Sequence, residues 1–219
     1  IKNTEKKQAP LPPFITSTHQ QDAFRKLNFK TTKTMLIAQQ LYEGIALGKS
    51  GTTGLITYIR TDSVRLSDEA ANWAASYIKE KYGNDYVPAK RRVYKNKNTS
   101  QDAHEAIRPA HPELAPEDVK QYLTADKYKL YKLIFERFVA CQMSPAKYST
   151  INVSITANDK YVFKASSSKK VFDGFMTVYA TDKDEEVKAT LPELKIGDEV
   201  LHVEFEKEQH FTQPPLRFN

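Results

Sequence analysis

The sequence predicts an α+β fold, a helical domain inserted in an antiparallel β part. Three observations carry that expectation. Apolar residues recur at helical spacing over most of the stretch from Ser17 to Val139. After Pro145 the period changes to two, over Tyr148–Ala157, Tyr161–Ser166, Phe172–Tyr179 and Glu199–Glu206, with turn signals at Asn158-Asp159, Asp173-Gly174 and Gly197-Asp198. Residues 1–17 read as extended and are expected to join the β part, which places the helices between its strands. The expected division is residues 18–145 for the helical domain, and 1–17 with 146–219 for the β domain.

In chain order, residues 8–14 (Gln-Ala-Pro-Leu-Pro-Pro-Phe) hold too many prolines for a helix. Ser17 or Thr18 can cap a helix to Leu27, with Ala23, Phe24 and Leu27 on one face, and Asn28 suits the left-handed position that ends it. Thr31 then caps a second helix in which Met35, Ala38, Leu41, Tyr42 and Ile45 recur on one side, ending at Gly44 or Gly48. Two short helices so joined resemble a helix-turn-helix. Gly48 to Gly54 reads as a polar loop. Its Gly-Lys-Ser is no phosphate-binding P-loop, because Gly44 and Gly48 stand one residue too close and a helix precedes them.

Leu55–Tyr58 reads as a short strand, and Ser67-Asp68-Glu69 opens a helix to about Lys81 with its acids near the N-terminus. Residues 83–101 form a basic surface crossing, and Asp102–Ile107 a short helix that Pro109 stops. Pro116 starts a further helix, and Thr124 caps a long one rich in apolar and aromatic residues.

Composition sets outer bounds. Of 219 residues, 33 are Lys or Arg and 27 Asp or Glu, a formal charge of +6. No stretch approaches the ~18 apolar residues of a membrane span. The single cysteine, Cys141, excludes a disulfide framework or a cysteine-based zinc site within the chain. The polar start is not a signal peptide and lacks an initiator Met. A cytoplasmic piece of a longer protein is expected, without a membrane partner. Charge is uneven: residues 181–208 hold ten acids and four bases, whereas residues 1–180 carry 28 bases against 17 acids. A basic body with a separate acidic segment fits a polyanion binder or an ordinary solvated surface.

Two strings carry chemistry. In Gly54-Leu55-Ile56-Thr57-Tyr58-Ile59-Arg60-Thr61-Asp62-Ser63, a tyrosine is followed two positions later by an arginine. A phenol ionises near pH ~10, so a nucleophilic tyrosine needs positive charge nearby, and an arginine can also grip a phosphate with two hydrogen bonds. The same string also fits an edge strand with a structural tyrosine. In Ser100-Gln101-Asp102-Ala103-His104-Glu105-Ala106-Ile107-Arg108-Pro109, His104 and Arg108 are four apart and would share a helix face.

Together the two strings resemble the signatures of type IA DNA topoisomerases, with bacterial topoisomerase I the nearer pattern because Ile59 rather than Pro follows the tyrosine. Thr16-Ser17-Thr18-His19-Gln20-Gln21-Asp22-Ala23 and Ile37-Ala38-Gln39-Gln40-Leu41-Tyr42-Glu43-Gly44 resemble the winged-helix-like start of the same domain. The resemblance implies that Tyr58 is the nucleophile, Arg60 holds the scissile phosphate and His104 donates to it. It assigns Arg108, Thr61 and Ser63 to DNA binding, and Asp62 and Glu105 to support. The β part would be the arch that swings the tyrosine domain to open a gate.

The resemblance further implies DNA as substrate, in a single-stranded segment of negatively supercoiled molecules, and a nucleoid setting. It implies magnesium held by a separate domain, with no cofactor in this chain, and the remaining domains of the same enzyme as partners. The isolated fragment is then expected not to relax DNA. Asp182-Lys183-Asp184-Glu185-Glu186 spells a D-x-D-x-E metal pattern but leads into Thr190-Leu191-Pro192, so an acidic hairpin loop is expected there. The competing readings are a non-enzymatic helix-turn-helix DNA-binding module and, more weakly, a protein-interaction arch.

Overall fold

The structure, a computed structural model, describes residues 1–48, 51–96, 104–180, 191–200, 204 and 206–214. Five helices form one body: α1 (Thr16–Leu27), α2 (Thr31–Glu43), α3 (Asp68–Tyr82), α4 (Pro116–Val119) and α5 (Ala125–Cys141). A three-stranded sheet in the order β1-β4-β5 joins β1 (Lys2–Gln8), β4 (Ala146–Ala157) and β5 (Tyr161–Phe172). Both pairings are antiparallel, running from Lys2 opposite Asn152 to Gln8 opposite Ala146, and from Lys147 opposite Phe172 to Ala157 opposite Tyr161. The N-terminal segment thus pairs with a strand that follows all five helices.

Local sequence explains the helix ends. Asn28 takes the left-handed conformation, φ 55°, that closes α1. Ser67 Oγ accepts from the Ala70 N–H at the start of α3, and Thr124 Oγ1 from the Lys127 N–H at the start of α5. α1 starts two or three residues earlier than expected. Its cap is Ile15, whose N–H donates to Thr18 Oγ1, and the cap of α2 is Lys30 rather than Thr31.

The buried faces are also turned relative to expectation. α1 buries His19 and Ala23 while Phe24 is exposed; α2 buries Thr34, Ile37, Ala38 and Leu41 while Leu36 and Tyr42 stay open. Ile45 leaves the helix altogether. Ile45–Ala46 (β2) pairs with Thr52–Thr53 (β3), so the expected loop is the end of a small hairpin directly after α2. α5 lies at the centre, with Leu130, Tyr131, Ile134 and Phe138 almost without solvent contact. Residues 92–94 are strapped to its C-terminal end: Arg92 Nε donates to the Met143 carbonyl at 3.0 Å, and Tyr94 Oη to the Cys141 carbonyl at 2.8 Å.

One buried cluster joins the sheet's two connections to the body. Arg137 of α5 donates from Nε to the Pro12 carbonyl (2.7 Å) and pairs with Asp22 of α1 (3.1 Å). Tyr179 donates to the same Asp22 oxygen at 2.7 Å. The guanidinium lies over the rings of Phe14 and Tyr179. Residues 12–14 lead out of β1 and Tyr179 follows β5, so both crossings end on one side chain.

One expected strand is corrected, and a second lies half outside the described residues. Phe172–Tyr179 is not a strand: β5 itself extends to Phe172, and Gly174–Thr177 forms a 3₁₀ turn that buries Phe175, Met176 and Tyr179. Spacings of three and four between buried residues are a helical pattern, not an alternation. Gly174 is needed there, with φ +52° and the Pro145 and Ser144 carbonyls 2.6 Å from where a Cβ would stand. Of Glu199–Glu206, the residues 199, 200, 204 and 206 are outside any strand, and the others lie outside the described residues. The turn at Gly197-Asp198 is present, with the Asp198 N–H donating to the Lys195 carbonyl.

Candidate active site

The site grows from two chain segments laid side by side. Residues 105–110 run extended and form single bridges on both flanks, Phe14 with Ile107 and Ile56 with Pro109. The Ala110 N–H donates to the Leu55 carbonyl (2.9 Å), the Thr57 N–H to the Arg108 carbonyl (2.9 Å) and the Ile107 N–H to the Phe14 carbonyl (2.8 Å). This replaces two expectations. Leu55–Tyr58 is not a full strand, and His104–Ile107 is not helical; Gln101–Ala103 lie outside the described residues. Pro109 offers no N–H and biases Arg108 to an extended backbone, while the neighbours' peptide groups meet those of 106–108 directly.

Thr57 is the rivet. Its hydroxyl donates to the Ala106 carbonyl at 2.7 Å and accepts from the Arg108 N–H at 3.0 Å. The next residue, Tyr58, is thereby held against His104, with ring centroids 5.2 Å apart and planes inclined by 31°. Tyr42, from the end of α2, packs edge-on against the other side of Tyr58 at 5.7 Å. Both Tyr58 and His104 are solvent-exposed. The approach of α2 depends on Gly54, since a Cβ there would sit 2.6 Å from the Tyr42 carbonyl.

Arg60 is exposed on the same loop and, among the described residues, has no hydrogen bond or ion pair, as is also true of exposed Asp62. Arg108 is differently placed. Its guanidinium donates to Glu105 Oε2 (2.7 Å), the Pro109 carbonyl (2.7 Å) and Ser67 Oγ (3.4 Å), and is mostly buried. Glu105 therefore holds Arg108, and Arg108 ties the loop to the cap of α3.

Thr61 and Ser63 are buried. Thr61 Oγ1 accepts from the Ser63 N–H, Ser63 Oγ accepts from the Arg65 N–H, and the Thr16 hydroxyl sits between the Ile59 and Thr61 carbonyls. Their hydroxyls shape the loop from inside and, being buried, are not placed to touch DNA as the resemblance implies. Of the predicted residues, the structure brings together Tyr58, His104 and, through the backbone, Glu105 and Arg108. Thr57 and Tyr42 are additions that the sequence reading used only as strand and packing residues. The adjacency of Thr57 to Tyr58 could have flagged the first; nothing in periodicity flags an exposed tyrosine about three turns along a helix.

Among the described residues, no group of three or more His, Cys, Asp or Glu side chains could hold a metal ion. The Asp182–Glu186 segment lies outside the described residues. Among them, too, no helix is long and apolar enough to cross a membrane.

A basic chain presenting an exposed tyrosine, a facing histidine and an unpaired arginine on one loop has the parts of a phosphate-handling site. A model of the DNA topoisomerase family matches residues 1–219, and the chain belongs to that family. Its fold is similar to full-length topoisomerase I from Thermotoga maritima, a bacterial type IA enzyme, with 43% sequence identity and a TM-score of 0.73 over 89% of this chain. The match covers 30% of the Thermotoga chain.

Proposed function

We propose that this chain supplies the tyrosine-bearing part and arch of a type IA DNA topoisomerase that cuts and reseals one DNA strand. The Tyr58 oxygen attacks phosphorus and loses its proton; the phosphorus–O3′ bond breaks, and the leaving 3′ oxygen takes up a proton. A 5′-phosphotyrosine link and a free 3′-hydroxyl result. Because one phosphate ester is exchanged for another, the reverse attack reseals the strand without ATP. In this reading Arg60 holds the scissile phosphate, and His104 donates to one of its oxygens. Glu105 and Arg108 fix the segment that carries His104. Residues 1–17 and 146–219 act as the arch around the domain of residues 18–145.

The observation that carries the reading is the exposed Tyr58 phenol packed against the His104 ring within the family's own two strings. A charge-assisted grip by Arg60 suits the phosphate, since guanidinium keeps its proton and offers two parallel donors. Magnesium is assigned to a part of the enzyme outside this chain.

The test is made in an enzyme restored with its other domains. Tyr58→Phe should abolish both relaxation of negatively supercoiled DNA and the covalent adduct seen on denaturing gels. Adducts that survive in that variant would sink the proposal. The isolated chain should relax no DNA, and turnover by it would remove the need for further domains.

A further inference from the structure

The three-stranded sheet has two unlike faces. Its strands carry seven lysines and one glutamate. By strand register, Glu5 shares a face with Lys7, Lys147 and Lys169, together with Val153, Ile155 and Phe163. The other face holds Lys2 and Lys6 on β1, Lys164 and Lys170 on β5, and no acid from any strand.

Its middle, on β4, is polar over Thr150, Asn152, Ser154 and Thr156, whereas Tyr148, between Lys6 and Lys170, packs toward the body and donates to Met176 Sδ. Thr150 is buried and pairs with Ser168 (2.8 Å), while the Thr4 hydroxyl donates to the Thr150 carbonyl and accepts from the Asn152 amide. Lysines therefore stand on both rims of the face, on β1 and β5, with Tyr148, Thr150, Asn152 and Ser154 of β4 between them. With strands ~4.8 Å apart the rims are about 10 Å apart, and Lys2 and Lys6 stand about 13 Å apart along β1. Among the described residues Lys2, Lys6 and Lys164 have no ion-pair partner, whereas Lys170 meets Asp173 at 2.7 Å.

We infer that this lysine-rimmed face binds the sugar–phosphate backbone of a single DNA strand, as a surface separate from the Tyr58 loop. The inference rests on DNA being the substrate, as proposed above, and adds where else the chain grips it. Unpaired cations at this spacing, on a face with no strand carboxylate, complement a line of phosphates and carry no base readout. Rims about 10 Å apart suit one strand rather than a duplex.

The experiment measures binding of this chain to a fluorescent 20-nucleotide oligo-dT by anisotropy across a series of salt concentrations. Lys2→Gln/Lys6→Gln/Lys164→Gln should lower the slope of log K against log salt by about 2, at ~0.7 per phosphate contact. The same number of charges removed from the opposite face, Lys7→Gln/Lys147→Gln/Lys169→Gln, should change it by less than half as much. Circular dichroism checks that both variants fold. Equal effects from the two faces, no effect from the first variant, or no salt-dependent binding by the unaltered chain would each overturn the inference. None of these outcomes touches the covalent-adduct assay, by which the Tyr58 reading stands or falls on its own.

Discussion

Replacing Arg137 by Met tests how the sheet is fastened to the helical body. The side chain is 5% exposed and its partner Asp22 13% exposed, so solvent screens the pair little. Methionine keeps much of the volume over Phe14 and Tyr179 but removes the charge and every donor. Asp22 would keep the Tyr179 hydroxyl and a longer, exposed contact to Arg25 at 3.5 Å, while the Pro12 carbonyl would lose its side-chain donor. Breaking a buried pair from one side costs ~3–5 kcal/mol; the help Asp22 retains places the expectation near the lower end, at about 3 kcal/mol. For a chain of this length that corresponds to a fall in Tm of about 6–12 °C. The readout is urea unfolding followed by Trp73, the only tryptophan, whose ring stacks on Phe138 of α5 with centroids 6.3 Å apart. Asp22→Asn completes a double-mutant cycle, with a coupling of at least 1 kcal/mol expected for groups in direct contact. A loss below about 1 kcal/mol for Arg137→Met, or strictly additive costs, would refute the fastening argument.

Acid should unfold the chain through His19. Burial pulls its pKa from 6.5 to about 4 despite nearby Asp22, and among the described residues neither ring nitrogen has a hydrogen-bond partner. The unfolded state takes up the proton first. Stability is thus complete above pH ~6.5 and falls by about 3 kcal/mol as the pH drops to ~4, a slope that His19→Phe should remove from pH-dependent urea titrations. Gly54→Ala should push the loop from the Tyr42 carbonyl and cost about 1–3 kcal/mol by urea titration, with Tyr58 solvent exposure changed in the same variant. Thr57→Val should cost about 1–3 kcal/mol, because the buried Ala106 carbonyl loses a donor and the Arg108 N–H an acceptor. In the restored enzyme it should slow adduct formation more than it weakens DNA binding.

Where sequence and structure agree, the signal is local chemistry. Ser67, Thr124 and Asn28 mark helix ends because capping needs only a neighbouring side chain or a tolerated left-handed turn. Tyr58 and His104 were legible as family strings, and the structure supplies their 5.2 Å approach. The failures concern tertiary context. Phe172–Tyr179 alternates well enough to read as a strand, yet packing of Phe175 and Tyr179 into the body selects a 3₁₀ turn. The His104–Ile107 segment has helical spacing, yet backbone partners at Phe14, Leu55 and Thr57, far away in sequence, hold it extended. The buried roles of Arg137 and Thr61 were invisible for the same reason, since their partners are set by the fold.

The pairing of β1 with β4 has a consequence for how the chain reaches its native state. Gln8 and Ala146, opposite each other, are separated by 138 positions, whereas β4 and β5 meet through a hairpin turn at Asn158-Asp159, each with φ 51°. The hairpin can close on a microsecond scale, but β1 must wait until a long loop is gathered in. Folding of the helical body does most of that gathering, bringing the Pro12–Phe14 segment beside α5 before the strands zip. Loop closure therefore favours β1 registering after the β4–β5 hairpin.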